Sequence, residues 1–146
     1  MSEPCDLTAL EARGLVCRKE LSASELLESC IRRIDRVYRA VNAIVATDLP
    51  AARVVAACVD KEVMAGEALG PLARLLIGIK DLRDPAGMPT SFGGPIFAKK
   101  MPLRDGRVVR AIRAAGGSVA AKTNTQEVGA GANTRNATTG NAAPPS

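Results

Sequence analysis

The stretch Leu75-Leu76-Ile77-Gly78-Ile79-Lys80-Asp81 decides how this chain is read. An unbroken apolar run ends in a lysine and an aspartate. A loop dense in turn formers follows: Asp84-Pro85-Ala86-Gly87-Met88-Pro89-Thr90-Ser91-Phe92-Gly93-Gly94-Pro95. A short apolar run bounded by turn residues reads as a buried strand. An ammonium at its end must reach water or be held by partners, because an unpaired buried charge is costly. Two readings of Lys80 are open. It is a strand-end lysine whose stem packs while its head reaches solvent, or a lysine of depressed pKa that works as a base. A charged residue at a strand end, opening onto a long shaped loop, is how many active sites are built.

Downstream of the loop, the pattern predicts a helix over residues 105–115, ended by Gly116-Gly117. A second strand follows over 118–122. Strand, crossover helix and strand make a βαβ unit, so the two strands are expected to be parallel and the crossover right-handed. In open α/β sheets ligands bind beyond the carboxyl ends of the strands. Those ends carry Lys80-Asp81 and Lys122-Thr123-Asn124, which places both polar clusters on one rim. Lys122 itself is read as a strand-end lysine with a structural role.

Upstream of Gly70-Pro71 the chain reads as helical. A short helix is expected over 7–18, weakened by Gly14. Ser22 opens a stronger one, with Glu25 at capping-box spacing. Leu27, Ile31, Ile34, Val37 and Val41 recur along one face, and Glu28 stands four residues before Arg32, the spacing of a helical ion pair. Pro50 suits the first turn of a third helix over 51–65, which Gly66 stops. The expected architecture is α/β in a single incomplete domain. Residues 1–68 are helical, 69–128 form the βαβ unit, and 129–146 form a Gly- and Asn-rich loop and tail that is expected to be mobile.

Composition narrows the chemistry. The chain of 146 residues is 47% hydrophobic, enough to fold around a modest core, but only 2% aromatic and without Trp. It contains no histidine, which excludes Ser-His-Asp and Cys-His catalysis from within it. Cys5, Cys17, Cys30 and Cys58 form no C-x-x-C pair, so a zinc site is not expected, and no metal or cofactor is expected. Cys30 falls on the apolar face of the second helix, as a reduced cysteine would. Met1 to Asp6 lacks the apolar core of a signal peptide and no stretch would span a membrane, so the expected location is cytoplasmic. The net charge is +5. Arg107, Arg110 and Arg113 share one helix face opposite Val108, Val109 and Ile112. That is the solvated side of an amphipathic helix, and no aromatic residues interleave to stack bases, so nucleic acid is not an expected partner.

Several motifs together carry a family resemblance. Gly70-Pro71-Leu72, Ile79-Lys80-Asp81 and Ala86-Gly87-Met88-Pro89-Thr90 resemble the lysine motif of the amidase signature family. Ala114-Ala115-Gly116 and Ala121-Lys122-Thr123-Asn124 are similar to its next helix and strand. The segment 129–141 resembles the glycine- and asparagine-rich region before its serine-rich signature. The resemblance runs over nearly the whole chain, from about Leu7. It implies the first part of a mixed-sheet amidase fold and a Ser–cis-Ser–Lys amidohydrolase acting on a small-molecule amide. Lys80 matches the catalytic lysine, and Gly129 and Ala130 fall in the substrate-binding region. It also implies a homodimer or an amidotransferase complex as the assembly of the full-length form. Arg74-Leu75-Leu76 departs from the family's usual turn into the strand. Both family serines would lie beyond Ser146, so the chain by itself is expected to be inactive. The alternatives are a non-catalytic remnant or interaction module of the same fold and, with only charge behind it, a basic nucleic-acid-binding domain.

Overall fold

The computed structural model describes residues 3–73 and 75–143. Arg74, with its departure from the family turn, and the end of the expected tail, 144–146, lie outside the described residues. The elements are α1 (Ala9–Cys17), α2 (Ala23–Val41), β1 (Ile44–Thr47), α3 (Leu49–Ala65), β2 (Leu76–Lys80), α4 (Arg107–Ala114) and β3 (Ser118–Thr123), with 3-10 turns at Pro4–Asp6, Pro95–Phe97 and Glu127–Gly129.

The helices begin where side chains satisfy free backbone amides. Ser22 Oγ accepts from Glu25 N–H, and the Glu25 carboxylate accepts from Ser22 N–H, closing the expected capping box. Thr8 and Glu11 build a second one at the start of α1. Asp48 caps α3 through Ala51 N–H, with Pro50 in the first turn. Gly66 ends α3 in the left-handed region at φ 74°, a conformation that costs a side-chain-bearing residue more.

Helices α1–α3 cover one face of the sheet. Val16, Ala23, Leu27, Ile31, Ala52, Ala56, Val59 and Val63 pack with Ala120 of β3, and Leu76 of β2 joins from the edge. A smaller core forms on the other face from Ile79, Val119, Met88 and Val109, with Ile112 of α4 against it. The arginine face of α4 is exposed and Val109 is fully buried, as its periodicity predicts, but Val108 is largely exposed. One local expectation fails. Glu28 pairs with Arg53 of α3 at 2.7 Å rather than with Arg32, because α3 packs alongside α2 and offers the better-placed guanidinium. Both phenylalanines lie outside the cores, edge to face with ring centroids 5.2 Å apart.

The sheet order is β1-β3-β2. β2 and β3 are parallel, as a βαβ unit requires, and β1 is antiparallel to β3. The register between β2 and β3 breaks once. Ile77 pairs with Val119 but Gly78 pairs with Ala121, so Ala120 is an extra residue on β3. Side chains alternate along a strand, and an inserted residue shifts that alternation. Ala120 therefore joins the helical core while Lys122, the partner of Ile79, turns toward the second face.

Candidate active site

Lys80 ends β2 and is exposed, and no hydrogen bond or ion pair engages its amine among the described residues. Its register partner is Thr123. At the end of the apolar run its ammonium reaches water. The chain turns sharply after it: the Lys80 carbonyl accepts from Leu82 N–H at 2.7 Å and from Arg83 N–H at 3.0 Å.

Asp81 points the other way and is buried. Its N–H donates to Thr123 O at 2.9 Å and its carbonyl accepts from Phe92 N–H at 3.1 Å. Its carboxylate accepts from both the N–H and the hydroxyl of Ser91. It also faces the Lys122 ammonium, with Nζ 2.8 Å from Oδ1. Lys122 is the largest fully buried side chain among the described residues, with no exposed surface. Besides Asp81, its Nζ donates to Arg83 O (2.8 Å), Pro89 O (3.1 Å) and Thr90 Oγ1 (2.8 Å). The Thr90 hydroxyl donates to Arg83 O at 3.0 Å. Burial lowers the pKa of Lys122 from its ordinary value, and the Asp81 carboxylate works against that shift. Two carbonyls and a carboxylate can only accept, so the cage fits the ammonium form.

The long loop is closed on itself by polar contacts. Lys100 Nζ bridges both oxygens of Asp84 at 2.8 Å and stands 4.5 Å from the Phe92 ring centroid. Asp105 accepts from Ala86 N–H at 2.8 Å, and Gly106 N–H donates to Asp84 O. Phe92 and Val128 both take positive φ, 52° in each case, and Val128 N–H donates to Phe92 O. Bulky residues in that region are uncommon and hold only where the surroundings dictate them.

Gly129 follows Val128 at φ 76°, and a Cβ there would stand 2.6 Å from Leu82 Cδ1. The structure therefore seats Gly129 on the residue two positions after Lys80. Ala130 is exposed beside it, its N–H bonded to Glu127 O at 3.1 Å. Contrary to expectation, the segment beyond does not lack packing partners. Asn136 Nδ2 donates to Asn124 Oδ1 (2.8 Å) and Thr125 O (2.7 Å), Thr139 Oγ1 donates to Asn124 Oδ1 (2.9 Å), and Asn42 Nδ2 donates to Thr139 O (2.8 Å). Asn124, at the end of β3, is the hub. Sequence spacing does not reveal the buried pairing of Lys122 with Asp81, because it joins β3 to the turn that follows the neighbouring strand. The run Ile44-Val45-Ala46-Thr47, rich in β-branched residues, was the overlooked signal for β1.

Comparison with known proteins places this geometry among others. The family model described as Amidase matches residues 25–146. Over 134 residues the chain is 39% identical to a glutamyl-tRNA(Gln) amidotransferase subunit of Salinispora arenicola, covering 92% of this chain and 27% of that protein. It is 39% identical to an acylamidase of Rhodococcus erythropolis, covering 84% of this chain and 26% of the relative. The crystal structure of the peptide amidase of Stenotrophomonas maltophilia superposes with a TM-score of 0.86 at 27% identity, over 97% of this chain and 30% of that one. The chain thus spans a little over a quarter of the length of the curated relatives it matches.

Proposed function

Because the chain belongs to the amidase family, we propose that it carries the lysine part of a Ser–cis-Ser–Lys site that cleaves the carbon–nitrogen bond of a small carboxamide. In this reading Lys80 is the base. It takes the proton that the nucleophilic serine releases through the second serine, and returns it to the departing amine. The observation that carries the reading is the contrast between two lysines on one rim. The Lys80 amine is exposed and unengaged among the described residues, whereas Lys122 is saturated by oxygen acceptors. Only the first is free to exchange a proton with a reacting group. Gly129, seated against Leu82 in the turn that follows Lys80, and its neighbour Ala130 belong to the substrate side of the same reading.

None of the buried hydroxyls around Lys80 is a nucleophile in this reading. Ser91 is committed to Asp81, and Thr90 to Arg83 and Lys122. The serines belong to the part of the family fold that these 146 residues do not include. The relatives include both an amidotransferase component and an acylamidase, so free hydrolysis and ammonia transfer within a complex are two settings of one chemistry. A cytoplasmic location, and assembly as a homodimer or within such a complex, go with the same proposal.

The test joins residues 1–146 to the remaining portion of the acylamidase relative and assays simple amides such as benzamide. Lys80→Ala in that chimera is expected to lower kcat by about a thousandfold or more, as loss of one member of a catalytic unit does. Retention of more than about a tenth of kcat, a barrier change of only about 1.4 kcal/mol, would reject the role. The 146-residue chain alone is expected to show no turnover.

A further inference from the structure

We infer that Lys122 and Asp81 are positioning residues: a buried ammonium on β3 tethers the turn after β2 and so fixes where the Lys80 backbone ends. The inference rests on the assignment of Lys80 as the reactive amine, and goes beyond it by naming what holds that amine in place.

Three observations carry it. First, every oxygen that Lys122 Nζ contacts, on Asp81, Arg83, Pro89 and Thr90, lies in the ten residues that directly follow Lys80. A lysine that merely filled core space would not draw all its partners from one loop. Second, Asp81 is held at every polar group it has. Its N–H reaches Thr123 O, its carbonyl takes Phe92 N–H, and its carboxylate takes Ser91 and Lys122. The peptide that joins Lys80 to Asp81 is thereby clamped between β3 and the far end of the loop. Third, the register break at Ala120 turns Lys122 onto the face of Ile79, while Lys80 pairs with Thr123 on the other. The tether therefore holds the backbone without competing for the Lys80 amine.

Such a cage is costly as a stabilising device. A buried ion pair is often no better than apolar side chains of similar volume, and its best-attested use is to specify one arrangement over others. Here the arrangement specified is the turn Lys80-Asp81-Leu82-Arg83 and its closure onto Ser91.

Amide hydrogen exchange on the 146-residue chain, read residue by residue by NMR, separates positioning from general stability. In Lys122→Met and in Thr90→Val, the amides of Asp81, Leu82, Arg83, Ser91 and Phe92 are expected to exchange at least about tenfold faster, with shifted Lys80 and Asp81 backbone resonances. The amides of α2 and α3 should keep their protection in Thr90→Val, and in Lys122→Met should lose only the common factor set by the lower global stability, which the double variant with Asp81→Asn restores. Lys122→Met combined with Asp81→Asn should restore the midpoint of unfolding while the local exchange stays fast. Thr90→Val removes one acceptor and leaves the ion pair, so it reports if Lys122→Met fails to fold. Uniform loss of protection in Thr90→Val, or unchanged exchange after Lys80 in either single variant, would overturn the inference. These outcomes do not depend on whether Lys80 turns over an amide, so the inference and the catalytic reading can fail separately.

Discussion

Ile79 and Lys122 are register partners across β2 and β3, and their pairing decides which of the two strand-end lysines is buried. Ile79 packs into the small core beneath α4, so its neighbour on β3 must face the same way. Lys122 consequently enters a space already walled by the 81–91 loop, and that loop supplies the oxygens that make its charge tolerable. Lys80, one residue beyond Ile79, must face the other way, and reaches solvent.

The two lysines should therefore differ sharply in their effect on stability. Lys122→Ala leaves the Asp81 carboxylate buried without its counterion and is expected to cost about 3–5 kcal/mol. Lys80→Ala removes an exposed side chain and should change stability by no more than about 0.5 kcal/mol. Denaturant melts of the two variants check this. Equal losses would contradict the burial contrast.

Gly129→Ala places a Cβ against Leu82 in a left-handed backbone conformation. The conformation alone costs about 1–2 kcal/mol. A double variant with Leu82→Ala removes the steric part and should leave the conformational part. A thermodynamic cycle over the two positions should show a coupling of about 0.5 kcal/mol or more.

The helix starts and their ion pairs make stability depend on acid. Backbone and hydroxyl donors of Ser22 hold the Glu25 carboxyl below its usual 4.5, and those of Thr8 do the same for Glu11. The Arg36 guanidinium lowers Glu3 and the Arg53 guanidinium lowers Glu28. A folded-state pKa below the unfolded one means that the unfolded chain binds more protons on acidification. This stabilisation is complete above the unfolded value near 4.5 and is lost as pH falls through the depressed folded values. Lys122 acts on the basic side: its lowered pKa means stability gained as pH rises from that value toward 10.5. Melts from pH 7 down to pH 3 should show a falling midpoint, with a shallower fall in Glu25→Gln.

The cysteines should divide by reactivity. Cys17 and Cys58 are exposed, whereas burial raises the Cys30 thiol above its ordinary value. A disulfide exchange reagent at neutral pH is expected to modify Cys17 and Cys58 quickly and Cys30 slowly. Rapid modification of Cys30 in the folded chain would show that α2 is not packed as described.

Much of this protein was determined by local sequence. The capping box from Ser22 to Glu25, the stop at Gly66, the apolar run into Lys80 and the glycine pair after α4 each act within a few residues, so the helices and both parallel strands follow from short-range chemistry. The lysine motif and its order along the chain likewise indicated the family. Tertiary structure alone decided the rest. Glu28 chose Arg53 over Arg32 because the packing of α3 set the distance. β1 joined the sheet because β3 offered it an edge, with Asn124 N–H bonded to Ala43 O. Asn136 and Thr139 bond to the end of β3 because Asn124 offers them one shared acceptor. Lys122 became the buried lysine because one extra residue, Ala120, shifted the alternation of its strand. Periodicity names the faces of an element, but which face meets which neighbour depends on register, and register is set by contacts between residues far apart in the chain.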